Sequence, residues 1–168
     1  MPLIKNKQLA ANDSYTLVAD DAELPAAGDV IVGLARFLAN EAALRARASK
    51  LGVRIDPEDE VNEAAKVLGK VDLVALSFPK FGDGRAYSKA RLFRERFGYT
   101  GELRAVGEVL ADQLQYMSRC GIDAFALAEG KDVAAAIRAL DDFSVTYQGA
   151  TDDPRPLYRR VTRGARTP

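Results

Sequence analysis

The chain has 168 residues, 48% of them hydrophobic, and its 24 basic and 24 acidic residues cancel. This length and apolar content suit one domain with one core. Because no net charge is available to attract a nucleic-acid backbone or an anionic membrane surface, we expect neither as a partner. An electrostatic site in this chain would have to be local.

The residue types that are missing exclude several kinds of chemistry. Histidine is absent and Cys120 is the one cysteine, which excludes Ser-His-Asp, Cys-His and His-metal sites, an internal disulfide and an iron–sulfur cluster. No nucleotide or flavin motif occurs either, so the sequence assigns no cofactor and no metal. A cytoplasmic location fits this use of cysteine, and the N-terminal residues lack the apolar core of a signal peptide.

The first 29 residues contain two β-prone pieces, Leu3-Ile4 and Tyr15 to Val18, separated by an Asn-Asp turn. This pattern predicts a small appended β-hairpin. At the other end, the residues from Gly149 onward combine prolines and arginines with few apolar side chains. We therefore expect an α/β domain over residues 1–148 and, over 149–168, a basic tail that is flexible or docked on a partner.

Between about residues 30 and 147, short apolar runs alternate with amphipathic segments, which predicts a parallel sheet of five to six βα units. We favour strands in simple order, as in part of a TIM barrel, with a doubly wound, flavodoxin-like sheet as the alternative. Exposed edges of such a half-barrel would favour a homodimer. The predicted strands are 30–34, 53–55, 73–78, 103–106 and 124–127, with 144–147 as a candidate sixth.

Helix ends are predicted from capping residues. Asn40 suits the N-cap of a helix that Gly52 would stop, and Asp56-Pro57 would open a helix that Gly69 closes. Cys120, before Gly121 at the end of a later helix, is interpreted as a packed thiol rather than a reactive one. Two buried stripes are predicted from helical spacing, one of Ala86, Ala90, Phe93 and Phe97 and one of Leu110, Leu114 and Met117.

The loop after the strand LVALSF is the main candidate site. It contains a glycine-bracketed Asp-Gly turn and leads into a helix rich in cations, so free N–H groups and Arg85 would hold a small anion such as sulfite, sulfate or phosphate. Alternatively, Asp83 or Ser88 is an N-cap and the arginines form a solvated face. The predicted anion-binding residues are Lys80, Gly82, Gly84, Arg85 and Ser88, joined by Arg104 from the next strand.

Glu102 and Arg104 share one side of that next strand because side chains alternate with period 2. In a central strand they would pair or line a polar pocket, since an unpaired buried charge is costly. In the absence of histidine, Asp83 or Glu108 is the candidate catalytic acid or base. Arg85, Arg104 and a carboxylate in one pocket would favour an enzyme, whereas scattered exposed positions would not.

Two blocks, FPKFGDGRAYSKAR and GELRAVGEVLADQLQYMSRCGIDAF, resemble a bacterial family of unknown function encoded beside sulfite reductase in sulfate-assimilation clusters. The order of segments from Gly28 to Tyr147 agrees as well. Phe37 replaces an expected tryptophan, Ile122 replaces an expected phenylalanine, and Gly82 falls at a variable position. The resemblance implies a role in sulfite reduction, and relatives are often labelled oxidoreductases, but it brings no established catalytic residues.

Three functions follow as expectations. The preferred one is an accessory or electron-transfer partner of sulfite reductase. The second is an enzyme acting on a small oxyanion or sulfur intermediate bound at residues 78–89. The third is a non-catalytic anion sensor or scaffold.

Overall fold

The computed structural model describes residues 1–47 and 49–160, which form a mixed α/β structure around an eight-stranded sheet curled into a half-barrel. The strands are β1 (Leu3–Lys5), β2 (Gln8–Leu9), β3 (Tyr15–Leu17), β4 (Asp29–Gly33), β5 (Leu51–Ile55), β6 (Leu73–Phe78), β7 (Glu102–Gly107) and β8 (Ala124–Ala126). The helices are α1 (Leu34–Arg45), α2 (Val61–Ala65), α3 (Arg85–Glu95), α4 (Leu114–Arg119), α5 (Val133–Ala139) and α6 (Leu157–Arg160).

The strand order is β2-β1-β8-β7-β6-β5-β4-β3, and strands β3 to β8 run parallel with each strand beside the next in the chain. A doubly wound sheet reverses its strand order at a switch point, so this order excludes the flavodoxin-like alternative. The expectation of a purely parallel sheet is wrong, because β1 joins the sheet antiparallel to both β2 and β8.

The predicted N-terminal hairpin is also wrong in its pairing. Leu3-Ile4 belongs to β1, which turns back on β2 through Asn6 and Lys7, both with positive φ (52° and 60°). Such a two-residue turn matches the twist of a hairpin, whereas the Asn-Asp pair makes no hairpin here. Tyr15 instead pairs with Asp29 in parallel at the opposite edge of the sheet. Homodimer formation through these edges stays a prediction.

The five main predicted strands are confirmed to within about two residues, but the candidate sixth strand is not. Residues 144–147 have bends at Ser144 and Tyr147 and no strand pairing, and Val145 and Tyr147 are 59% and 65% exposed. A β-prone run that has neither a strand partner nor an apolar surface to cover it does not become a strand.

Helix α1 begins earlier than predicted, at Leu34, because β4 leads directly into it. Asn40 lies inside α1 with a non-helical backbone (φ −131°), and its side-chain amide donates to the Arg36 carbonyl at 3.2 Å. It therefore kinks the helix rather than capping it, and Gly52 lies within β5 instead of stopping a helix. Asp56-Pro57 does precede α2, but Glu60 is the N-cap.

The predicted helical stripes are confirmed as buried, except that Phe97 and Leu110 at their ends are only partly buried. Ala90, Phe93, Leu114 and Met117 are fully buried in the larger core, which holds every buried apolar helix side chain among the described residues. A smaller core consists of strand side chains with Ala10 and Tyr15. The helices therefore cover one face of the sheet, and the other face, which carries the smaller core, has no helix on it among the described residues.

Cys120 is buried directly after α4, and burial raises the pKa of its thiol. The chain beyond it returns to this helix end, where the Thr151 amide donates to the Arg119 carbonyl at 3.1 Å. The Arg119 guanidinium donates to the Gln148 carbonyl at 2.6 Å. Flexibility of the tail stays a prediction, and Arg163 and Arg166 lie outside the described residues.

Within residues 1–47 and 49–160, no helix combines the length and apolar character needed to cross a membrane.

Candidate anion-binding cleft

Cations alternate with small residues in one row across the helix-free face of the sheet. Arg54 of β5 and Arg104 of β7 are both register partners of Ala75 in β6. With strands about 4.8 Å apart, the two arginine Cα atoms lie on the order of 10 Å from each other. The full row, from β4 to β1, is Gly33, Arg54, Ala75, Arg104, Ala124 and Lys5.

Strand alternation explains why both arginines face away from the helices. Val53 and Ile55 belong to the helix-covered core, so Arg54 between them points to the opposite face. Leu103 and Ala105 place Arg104 on that face in the same way. Ala75 between them is fully buried in the smaller core, against which Tyr15 packs.

Arg104 is deeply buried, with 5% of its side chain exposed, and is tied to two carboxylates. Its Nε donates to Glu102 at 2.8 Å and its Nη1 donates to Asp13 at 2.7 Å. The guanidinium carbon also lies 5.3 Å from the centre of the Tyr15 ring. Of the two arrangements expected in a central strand, Glu102 and Arg104 form the pair, and Arg104 also lines a cleft.

Arg54 is held in a similar way at the other end of the row. Its Nε and Nη2 form a fork with the Asp56 carboxylate at 2.9–3.1 Å, and Nη2 also donates to Asp20 at 3.0 Å. The neighbouring Gly33 has no side chain, and a Cβ there would overlap the Asp20 carboxylate. Glycine at this position therefore leaves room for the ion pair.

Each guanidinium keeps one donor nitrogen free. Among the described residues, no hydrogen bond involves Nη1 of Arg54 or Nη2 of Arg104. Both arginines line one cleft of about 610 Å³, a size typical of small-molecule sites. The lining is Met1, Asp13, Tyr15, Leu17, Ile31, Arg54, Asp56, Ser77, Arg104, Val106, Gly107 and Ala126.

A buried lysine fixes the loop that carries Asp56. Lys89 of α3 is 5% exposed, and its ammonium donates to the carbonyls of Asp56 (2.6 Å), Pro57 (3.0 Å) and Asp59. Burial lowers the pKa of this lysine. Because all three carbonyls lie between β5 and α2, Lys89 holds the Asp56 carboxylate in position beside Arg54.

The loop predicted as the anion site contains its own anion. The Asp83 carboxylate accepts from the Arg85 backbone amide (3.2 Å) and from Nε (3.0 Å) and Nη2 (2.7 Å) of the same residue. These hydrogen bonds from Arg85 lower the pKa of Asp83 to about 2. Arg85 also pairs with Glu58 at 2.9 Å. Asp83 thus occupies the helix N-terminus and the guanidinium fork where an external anion was expected.

The remaining predicted residues of the loop are exposed to solvent. Glu108, the second candidate acid or base, makes a hydrogen bond that holds the loop in place. The Glu108 carboxylate accepts from the Phe81 amide at 2.6 Å and so ties the loop to the end of β7. Arg85 is not part of the cleft lining, so it does not share a pocket with Arg104. The exposed residues are Lys80, Gly82, Gly84 and Ser88.

Sequence reasoning missed Arg54. A single charge inside the apolar run LGVRI was the available signal, because a central strand carries a charged side chain only where that side chain is paired or lines a polar site. Nothing local to β5 indicated that it would lie in the same row as Arg104.

The sequence profile of a family of bacterial proteins of unknown function, DUF934, matches residues 52–158. This range includes Arg54, Arg104 and the charged loop. No curated protein matches the chain. Because the profile covers more than half of the sequence, the protein belongs to the DUF934 family.

Proposed function

We propose that the protein binds a small oxyanion in the cleft between Arg54 and Arg104 and acts as an accessory protein in assimilatory sulfite reduction. The binding step is supported by one observation above all. Two arginines, fixed in one row of the sheet, line the same cleft, and each has one guanidinium nitrogen without a hydrogen bond among the described residues. The metabolic setting is supported by the family resemblance of the two sequence blocks.

The fixed geometry favours recognition. Carboxylates on either side hold each guanidinium in place, so little side-chain freedom remains to be lost on binding. Hydrogen bonds from an arginine to an oxyanion are charge-assisted and stronger than neutral ones. Ser77 lies between the two arginine strands on β6 and adds a hydroxyl to the same lining.

Calorimetric titration of the purified protein with sulfite, sulfate and phosphate tests this proposal. Arg54→Gln is the variant of choice, because Arg54 is 19% exposed and its loss disturbs the sheet less than the loss of Arg104. We expect affinity to fall by about tenfold or more, the loss that follows removal of one charge-assisted hydrogen bond. Arg85→Gln, on the charged loop, is the matched control and should bind as the wild type does.

Two results would contradict the cleft site. Binding that is lost in Arg85→Gln and kept in Arg54→Gln would move the site to the loop at residues 78–89. Absence of binding by the wild-type protein for all three anions would remove the oxyanion from the proposal altogether.

A partner role with sulfite reductase is favoured by a separate feature, an exposed apolar surface near the end of the described chain. Tyr147 and Tyr158 are brought together because the Leu157 amide donates to the Tyr147 carbonyl at 2.9 Å. Large exposed apolar groups of this kind are typical of protein-binding surfaces. Its members are Phe143, Val145, Tyr147 and Tyr158, each at least 59% exposed.

Copurification and turnover measurements with purified sulfite reductase test the partner role. We expect the protein to bind the reductase or to stimulate sulfite reduction, and Tyr147→Ser combined with Tyr158→Ser to weaken that effect. Unchanged assembly and turnover of the reductase in the presence of the protein would contradict this role while leaving the anion site untouched.

A further inference from the structure

The side chains that line the cleft carry both signs of charge. Arg54 and Arg104 contribute two cations and Asp13 and Asp56 contribute two carboxylates, while Asp20 and Glu102 add one further carboxylate to each arginine. A simple anion entering such a cleft meets donors at the free guanidinium nitrogens but also the negative charges that already pair with them. Its net Coulombic attraction is therefore small.

We infer that the natural ligand is a small zwitterion, with an anionic group and an ammonium group on a short aliphatic carbon chain. This inference rests on the proposed function and specifies the ligand of the same site. The anionic end takes the free nitrogens of Arg54 and Arg104, and the ammonium faces Asp56. Both ends of the ligand then meet a charge of opposite sign.

Asp56 is suited to the ammonium because its carboxylate is accessible and fixed. Its side chain is 34% exposed, and Arg54 is its one ion-pair partner among the described residues. Lys89 holds the Asp56 carbonyl at 2.6 Å, and the Asp56 amide donates to Asp59 at 2.7 Å. A carboxylate held in this way can accept a further charged hydrogen bond without reorganisation of its loop.

The Arg104 guanidinium presents a donor without a protein partner. Arg104 is 4% exposed and lines the cleft, and no hydrogen bond within residues 1–47 and 49–160 involves its Nη2. The atom is not fully buried, so a ligand can reach it. Leu17, Ile31 and Val106 line the same cleft and provide apolar contacts for a short carbon chain.

A pair of probes that differ only in the ammonium tests the inference. Taurine (2-aminoethanesulfonate) and ethanesulfonate are titrated calorimetrically into the wild-type protein and into Asp56→Asn. We expect the wild type to bind taurine about fivefold more tightly than ethanesulfonate, as one partly exposed ion pair allows. In Asp56→Asn, taurine should bind more weakly and ethanesulfonate more tightly, because a negative charge has been removed.

The opposite signs separate the inference from a general loss of folding, which would weaken both probes alike. Asp83→Asn, outside the cleft, is the matched control and should leave both affinities unchanged. Equal wild-type affinities for the two probes would overturn the zwitterion and leave the oxyanion site standing. If the wild type binds none of taurine, ethanesulfonate and sulfite, the inference and the proposed site are overturned together.

Discussion

The charged loop at residues 78–89 and the concave cleft contain the same kinds of side chain but use them differently. In the loop, Asp83 and Arg85 are two residues apart and pair with each other, with the Arg85 side chain 53% exposed. In the cleft, Arg54 and Arg104 are 50 positions apart in the numbering and lie two strands apart in one row. The loop is conspicuous in the sequence, whereas only the folded sheet brings the two arginines together.

This difference shows why a run of cations is a weak indication of a site. Neighbouring charges of opposite sign usually pair with each other, and exposed pairs contribute little. A charge that interrupts an apolar strand must be compensated by groups from elsewhere in the fold. The four predictions below separate the two regions, in order of decreasing expected effect.

Arg104→Met should lower the free energy of unfolding by about 3–5 kcal/mol, because Asp13 loses its guanidinium partner and the nearly buried Glu102 carboxylate keeps only Lys5 as a charged partner. Urea denaturation measures this loss. Arg85→Met should cost less, because the Arg85 side chain is 53% exposed whereas that of Arg104 is 5% exposed. Combining Arg104→Met with Glu102→Gln should recover part of the loss, and equal losses for the two single variants would contradict the distinction between cleft and loop.

Lys89→Met should lower the free energy of unfolding by about 3 kcal/mol, because it removes a buried ammonium that donates to three backbone carbonyls. It should also weaken taurine binding, since the loop that carries Asp56 loses its tie. Lys80→Met is the matched control, because Lys80 is exposed, and should stay within about 0.5 kcal/mol of the wild type. A neutral Lys89→Met would show that the lysine does not hold this loop.

Gly107→Ala should lower the free energy of unfolding by about 2 kcal/mol. Gly107 lies at the rim of the cleft with φ at +98°, and a Cβ there would overlap the Phe78 carbonyl oxygen. Gly82→Ala, in the loop, is the control, because nothing lies within 4 Å of its added Cβ. Denaturation curves that coincide for the two variants would mean that the backbone at residue 107 relaxes without cost.

Asp83→Asn should alter the acid dependence of stability slightly. The pKa of Asp83 is lowered to about 2 by its hydrogen bonds from Arg85, below the ordinary value of about 3.9 in an unfolded chain. Its contribution is therefore present above about pH 4 and disappears as the pH falls to about 2.

Thermal unfolding midpoints across this range should show a difference between wild type and Asp83→Asn that shrinks with acid. In an Arg85→Gln background the same substitution should lose that pH dependence, because the interaction that lowers the pKa is gone. A difference that persists unchanged down to pH 2 would contradict the pairing of Asp83 with Arg85.

The sequence by itself determined much of the framework. Short apolar runs and helical stripes such as Ala86, Ala90 and Phe93 depend on residues close together in the chain, so the main strands and α3 were predictable. The charged positions Arg104, Asp83 and Arg85 could likewise be singled out, and strand alternation alone placed Glu102 and Arg104 on the same side of their strand.

Only the tertiary structure decided the edges of the sheet and the site. Whether the β-prone pieces near Leu3 and Tyr15 pair with each other or with β8 and β4 depends on long-range hydrogen bonds that local propensity does not specify. The row of Arg54 and Arg104 depends on the register of β5, β6 and β7, and a shift of one residue would turn either side chain to the other face. The framework follows from local periodicity, whereas the cleft follows from register, which the whole fold sets.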